Sequence, residues 1–352
     1  MRKTLPITAH IASVLVASLV TMGIGVFAPA DMAAATPSAT GNQQTPPKRP
    51  TLVVGIFVEG LSSDYVNLLR ANFGKDGFNR FIDNGVTIEN VDFGPGIDAT
   101  AATAMLMTGA SPGVNGIPAA RVWDTDAKID YPILLDPEKI GNFTNETLSP
   151  SALKVSTVSD EIRIADGGLG LVHSVAPDAQ IAIILAGHAG NSGFWINDVN
   201  GKWSTSTFYK DTPAAVTKRN YGVTLSSRLD TLSWTPAQAL DRYPDLPDYK
   251  KLYPFRHTFP AREANRFKAF KTSAPGNREV AAVGTDYISS LELGKRGFTD
   301  MLNLAFTVSP YQYGRDADNR LETMDAYIRL DSDIANIIRA VEKGPGLDRT
   351  LL

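Results

Sequence analysis

The 352-residue sequence has no cysteine, only four histidines and no surplus of basic residues. The absence of cysteine excludes disulfide bonds, thiolate nucleophiles, thiolate metal ligands and the lipid-modified cysteine of a lipoprotein. Any metal ion would have to be held by histidine, aspartate and glutamate. The formal net charge of -3 gives no sign of the basic surface that nucleic-acid binding needs, so we expect no nucleic-acid partner.

The first 50 residues have the composition of an export signal and a linker. Arg2 and Lys3 precede an apolar run over residues 11–27, and small residues at 33–35 offer a cleavage site. This pattern predicts a signal peptide over residues 1–35; an uncleaved membrane anchor is the alternative, because the run is long for a signal. Residues 36–50 predict a flexible leader. No second long apolar run follows, so we expect an exported protein, periplasmic or secreted, without a membrane span after signal cleavage.

The rest of the chain alternates apolar runs with helical patterns. Residues 51–58 form a continuous apolar, β-branched run that is typical of a strand buried on both faces. Further strands are predicted at 86–93, 169–176, 180–185, 301–308 and 350–352, and helices at 77–84, 99–108 and 319–343. This alternation predicts an α/β fold over residues 51–352, with a mainly parallel central sheet flanked by helices. Because the last predicted strand begins at residue 350, we expect the domain to be incomplete at its C-terminus.

A polar, aromatic and proline-containing stretch interrupts this alternation between residues 212 and 277. We predict a cap subdomain inserted at about residues 190–285. A hairpin over residues 194–209 lies near its start, with Asn200-Gly201 at the tip, a favoured turn pair.

Several short motifs follow one another in a characteristic order. They are LVVGI at 52–56 with Glu59, DGFNRFIDNG at 76–85, MTGASP at 107–112, LAGH at 185–188, WSTSTFY at 203–209 and YIRLD at 327–331. Together they resemble the type I phosphodiesterase/nucleotide pyrophosphatase branch of the alkaline phosphatase superfamily, especially its exported bacterial phosphatases. The resemblance covers essentially residue 50 to the end.

The resemblance implies zinc-dependent hydrolysis of a small phosphate ester. In that family two zinc ions flank a Thr or Ser nucleophile at the start of a helix, and a covalent phospho-enzyme is then hydrolysed. One metal lowers the pKa of the nucleophile and the other stabilises the leaving oxygen, while the helix N-terminus supplies backbone donors for phosphate.

Three residues are candidates for this site. Glu59 stands where the family has a metal-ligating aspartate; the alternative is a solvated carboxylate at a strand end. Counting back from Thr108-Gly109 puts the nucleophile position on Ala99, and a slip of one residue puts it on Thr100, which could equally be a helix cap. Arg121 could bind phosphate as a bidentate donor, although surface arginines are common.

Other family positions are changed. Asp178 and Gln180 stand where the phosphatases have a Lys-x-Arg pair, and residues 309–314 contain neither ligand of the expected Asp-x-x-x-His motif. His188 matches a position that is not a ligand, which predicts a structural, hydrogen-bonded histidine. Two hypotheses follow: a divergent zinc-dependent phosphate ester hydrolase with Glu59 and Thr100 as altered site residues, or an inactive pseudo-phosphatase that binds or scaffolds in the cell envelope. The missing ligands favour the second, whose protein partner the sequence does not identify.

Overall fold

The computed structural model of the chain describes residues 49–88 and 90–352. The predicted signal peptide and all but the last two residues of the predicted leader lie outside these described residues. Within them, no helix combines the length and the apolar character needed to cross a membrane.

The described chain alternates strands and helices from its first element onward. In the first half these are β1 (Leu52–Glu59), α1 (Ser63–Leu68), α2 (Phe78–Asn84), α3 (Ala99–Thr108), α4 (Pro112–Asn115), β2 (Arg121–Asp124), β3 (Ile129–Pro132), β4 (Gly141–Asn142), α5 (Val158–Ala165), β5 (Val172–Ala176) and α6 (Ala179–Ala186). In the second half they are β6 (Ser192–Ile196), β7 (Trp203–Ser206), α7 (Ala214–Tyr221), α8 (Leu225–Leu229), β8 (Ser233–Trp234), α9 (Asp248–Leu252), β9 (His257–Thr258), α10 (Arg266–Lys271), α11 (Ala274–Ser290), β10 (Asp300–Thr307), α12 (Arg320–Lys343) and β11 (Thr350–Leu351).

Seven strands form the central sheet, in the order β11-β1-β10-β5-β6-β7-β4. The pairs from β11 to β6 are parallel, and β7 and β4 add antiparallel pairs at one side. The predicted α/β class with a mainly parallel central sheet is confirmed. The predicted 194–209 hairpin is also present, as the β6–β7 pair.

The two faces of the sheet belong to two apolar clusters. Along β10, Leu302, Leu304 and Phe306 belong to one cluster, while Met301 and Ala305 belong to the other. This alternation is the two-residue period of a strand that is buried on both faces. Helices α11 and α12 cover the first face, and α3 and α6 cover the second.

Short polar side chains begin several helices. Ser62 caps α1, and Thr157 caps α5 in a reciprocal capping box with Asp160. The long amphipathic helix predicted at residues 319–343 is α12, and Gly344 follows its last residue.

Two predicted strands are wrong. Residues 180–185 lie in helix α6, because Asp178 caps its N-terminus by accepting hydrogen bonds from the amides of Gln180 and Ile181. A short apolar run does not distinguish a buried helix from a buried strand. Residues 86–93, leaving aside the undescribed Glu89, form no strand and run as an irregular segment.

The boundaries predicted for the cap also need correction. Residues 192–206 supply β6 and β7 to the central sheet, and α11 packs against β10. Between these elements, residues 214–271 form short helices and the β8–β9 pair. Their buried side chains, including Trp234, Phe259 and Phe270, belong to the same apolar cluster as the sheet and α12.

Candidate functional site at the sheet edge

The carboxyl ends of the parallel strands meet at one edge of the central sheet. Glu59 is the last residue of β1, Asp178 follows β5 by two residues, and Asp198 follows β6 by two residues. In open α/β sheets, ligands bind at this edge. Three carboxylates therefore lie where chemistry is expected.

Helix α3 begins at the same edge, and Asp98 occupies its N-terminus. One carboxylate oxygen of Asp98 accepts a hydrogen bond from the Ala101 amide (2.9 Å), and the other accepts one from the Ala120 amide (2.6 Å). The Asp98 carboxylate thus joins the helix to the segment after α4. The first residue of α3 is Ala99, which carries no nucleophilic group.

Thr100 is the second residue of α3 and is buried. The alternative that Thr100 caps the helix is wrong, because Asp98 is the cap. Its hydroxyl makes no hydrogen bond with another residue of the described chain, so no general base lies in contact with it. Its role as a nucleophile stays a prediction.

Asp178 plays the same part at α6 as Asp98 plays at α3. Its Oδ1 accepts hydrogen bonds from the amides of Gln180 (2.9 Å) and Ile181 (3.3 Å). A helix N-terminus is an anion-binding position because its amides lack partners within the helix. At α3 and α6 alike, an aspartate of the chain itself takes those amides.

Glu59 is exposed, yet its environment disfavours the charged form. Loss of hydration to the surrounding protein, followed by the negative charges of Asp178 and Asp98, raises the pKa of Glu59, while Lys271 opposes the rise. A phosphate-binding site would call for nearby positive charge. The immediate surroundings of Glu59 are instead mainly acidic.

Arg121 lies away from this acidic group, on the β2–β3 hairpin. Its Nε donates to Asp130 Oδ2 (2.5 Å), and Nη2 donates to the Asp130 carbonyl (2.9 Å). Both residues are exposed. The structure brings Glu59, Asp98 and the start of α3 together, but it pairs Arg121 with a carboxylate of its own hairpin.

The segment after β10 packs into an aromatic cluster. The Tyr311 ring lies 4.7 Å from the His257 ring and 5.1 Å from the Trp234 ring, centroid to centroid. His257 Nε2 lies 3.0 Å from Glu322 Oε1. Where the family motif predicts Asp-x-x-x-His ligands, this chain has a loop that packs against aromatic rings.

The side chains present do not fit a two-zinc centre. Within residues 49–88 and 90–352, no three His, Asp or Glu residues are arranged so that they could hold one metal ion. His173 is buried in β5 beside Ser192, and burial lowers its pKa to about 4. His188 contacts Asp160 through Nδ1 and the Leu153 carbonyl through Nε2, both at 3.1 Å. The prediction that His188 is a structural, hydrogen-bonded histidine is therefore confirmed.

Comparison with known proteins gives a consistent set of relatives. The chain is 29% identical over 321 residues to alkaline phosphatase PhoV of Synechococcus elongatus, and 27% identical over 316 residues to alkaline phosphatase PafA of Elizabethkingia meningoseptica. These matches cover 86% and 85% of this chain and 58% of each relative. The crystal structure of wild-type PafA superposes with a TM-score of 0.71 at 25% identity, covering 86% of this chain and 61% of that one. No family model matches the chain.

The chain is therefore similar in sequence and in fold to bacterial alkaline phosphatases. It shares with PafA the mainly parallel sheet flanked by helices. It spans somewhat more than half the length of the curated relatives.

Sequence reasoning missed one residue of the site, Lys271. It ends helix α10 inside the stretch expected to form a cap, and its ammonium reaches the acidic group at the sheet edge. No motif marks it, because its neighbours Asp178 and Asp198 are about 70 to 90 positions earlier in the chain. The sequence does contain one indirect signal for such a residue. Asp178 carries a negative charge where the related phosphatases have a lysine, so a compensating cation is expected nearby.

Proposed function

We propose that this chain is a divergent phosphatase-family protein that does not itself hydrolyse phosphate esters and serves as a binding or scaffold protein. One observation carries the proposal. At the sheet edge, Asp98 occupies the Ala101 amide of α3 and Asp178 occupies the Gln180 and Ile181 amides of α6, so a carboxylate already stands at each helix start where a phosphate would bind.

Charge supports the same function. A phosphate group approaching α3 would meet Asp98, Asp178 and Glu59, whose carboxylates repel an anion. The residue at the first position of the helix is Ala99, so the expected nucleophile is absent there. The donor set of the described residues does not fit zinc.

We further propose that the protein acts outside the cytoplasm, in the periplasm or after secretion. The predicted signal peptide and the resemblance to exported bacterial phosphatases support this location. The partner of such a scaffold would be another envelope protein rather than a nucleic acid, because the chain carries a slight negative charge.

The test measures zinc content, phosphate binding and turnover on the same preparation. The purified protein is assayed with an aryl phosphate monoester and an aryl phosphate diester, and inorganic phosphate is titrated by calorimetry. We expect no stoichiometric zinc, no phosphate heat and no turnover above that of Thr100→Ala. Saturable binding of inorganic phosphate at the sheet edge would contradict the proposal, because the carboxylates of Asp98, Asp178 and Glu59 should repel the anion.

The second candidate is hydrolysis itself, which the similarity to PhoV and PafA favours. It predicts about two zinc ions per chain and turnover that falls when Thr100 is replaced by Ala. Thr103→Ala is the matched control, since Thr103 is also buried in α3 but its hydroxyl bonds the Ala99 carbonyl. Turnover lost in Thr100→Ala and kept in Thr103→Ala would establish the hydrolase.

A further inference from the structure

The Lys271 ammonium is nearly enclosed at the sheet edge. Its side chain is 15% exposed, and Nζ lies 2.5 Å from Asp198 Oδ1. Lys268, one helical turn earlier on α10, lies 3.9 Å from the same carboxylate, but its side chain is 48% exposed. The two lysines therefore share a partner and differ in burial.

An ammonium in such a position needs negative neighbours, because leaving water costs a charged group several kcal/mol unless it is paired. Burial by itself would lower the pKa of Lys271, but Asp178, Asp198 and Glu146 together raise it. Lys271 also acts on Glu59 from across the site. Asp198 is thus the direct partner of the Lys271 ammonium, and the charges of Asp178, Glu146 and Glu59 also act on it or are acted on by it.

These carboxylates are attached to the sheet, whereas Lys271 belongs to the segment packed upon it. Asp198 follows β6, and Glu146 accepts a hydrogen bond from the Trp195 indole of β6 (3.0 Å). Helix α10 also packs directly against the β6–β7 turn, since a Cβ atom on Gly201 would collide with the Phe267 ring. An ionic contact and an apolar contact therefore join α10 to the same turn.

We propose that Lys271 is the internal cation of this site: its ammonium holds the sheet-edge carboxylates together and fastens residues 214–271 over them, the electrostatic task that the family resemblance assigns to metal ions. The inference rests on the proposed function in one respect, that no metal shares the site. The Lys271 charge offsets the repulsion among Asp178, Glu59 and Asp198, which all lie at the same edge of the sheet.

The test compares Lys271→Met with Lys268→Met, which removes a charge of the same sign from the same helix. We expect Lys271→Met to lower Tm by roughly 3–6 °C, because it removes the ammonium paired with Asp198 and leaves the sheet-edge carboxylates to repel one another. Amide hydrogen exchange should speed up in residues 192–206 and 266–271. Lys268→Met should change neither quantity measurably, and Lys271→Arg should retain most of the stability because it keeps the charge.

A direct measurement on the unmodified protein covers the case in which Lys271→Met does not fold. Acetylation by a water-soluble N-hydroxysuccinimide ester, followed by mass spectrometry, should modify Lys271 at least about tenfold more slowly than Lys268, since buried, ion-paired amines react slowly. Equal acetylation rates, or equal Tm and exchange in the two methionine variants, would overturn the proposal. Zinc uptake with turnover in the unmodified protein would refute the proposed function while leaving these comparisons to decide the role of Lys271.

Discussion

The buried carboxylate of Asp333 makes the stability of this protein depend on pH in a defined window. Asp333 lies on α12 facing α11, and only 1% of it is exposed. Its Oδ1 accepts a hydrogen bond from Arg278 Nε at 3.3 Å, and its Oδ2 has no partner within the described residues. Burial raises the pKa of Asp333 from its ordinary value of 3.8 to about 6, against the opposing charge of Arg278.

The sign of the effect follows from proton binding. The folded state holds the proton more tightly than the unfolded state, so the contribution of Asp333 to stability is fully present below pH 3.8 and is lost as the pH rises through about 6. At roughly 1.4 kcal/mol per pKa unit, the full loss is about 3 kcal/mol above pH 7. Asp333→Asn keeps the shape of the side chain and removes the titration.

The assay is urea unfolding of the natural protein and Asp333→Asn at several pH values from 4 to 8. The free energy of unfolding of the variant relative to the natural protein should rise across this range by about 3 kcal/mol and level off above pH 7. Glu342→Gln, an exposed change on the same helix, is the matched control and should give a flat difference. A flat difference for Asp333→Asn as well would refute the reasoning, because it would mean that Asp333 keeps the same pKa in both states.

Three further predictions concern stability. Asp325→Ala should lower the free energy of unfolding by about 3–5 kcal/mol in urea, since the fully buried carboxylate accepts hydrogen bonds from Trp234 and three other donors; a loss below about 1 kcal/mol would contradict this. Gly187→Ala should cost more than about 2 kcal/mol, because Gly187 has φ +69° and an added Cβ would collide with the Thr157 hydroxyl; an unchanged urea midpoint would show that the site relaxes freely. His188→Ala should destabilise the protein more at pH 5.5 than at pH 8.5, because the hydrogen bond with Asp160 raises the pKa of His188. The stabilisation that the charged imidazole provides is present below pH 6.5 and is lost as the pH rises through the raised pKa. Equal losses of stability at the two pH values would exclude a charged His188.

Regular elements with long patterns could be predicted from the sequence. The 24 residues of α12 keep an apolar stripe at helical spacing, and β10 is mainly apolar between Asp300 and Thr307 at its two ends. Residues 180–185 could not be assigned in this way, because a short buried helix and a short buried strand have the same composition. What decides between them is the cap at Asp178, a single side chain whose conformation the apolar pattern does not encode.

The site was less predictable than the fold. Glu59 could be placed at a strand end because the strand itself is evident in the sequence. Loss of hydration is the main cause of the raised pKa of Glu59, and the further effects of Asp178, Lys271 and Asp98 come from three separate segments that only the tertiary structure brings together. Local spacing carries no information about such contacts, so the acidic character of the site emerged only from the structure.

The motifs by which the sequence resembles its family turn out to serve packing more than chemistry. Asp331 of the YIRLD motif accepts hydrogen bonds from the amides of Gly74 and Phe78, both at 2.8 Å, and so ties α12 to the start of α2 in the DGFNRF motif. Gly77 lies so close to Asp331 that any side chain there would collide with its carboxylate. His188 of the LAGH motif is likewise engaged with Asp160. In this chain the motif residues Asp331, Gly77 and His188 therefore hold the elements of the scaffold together.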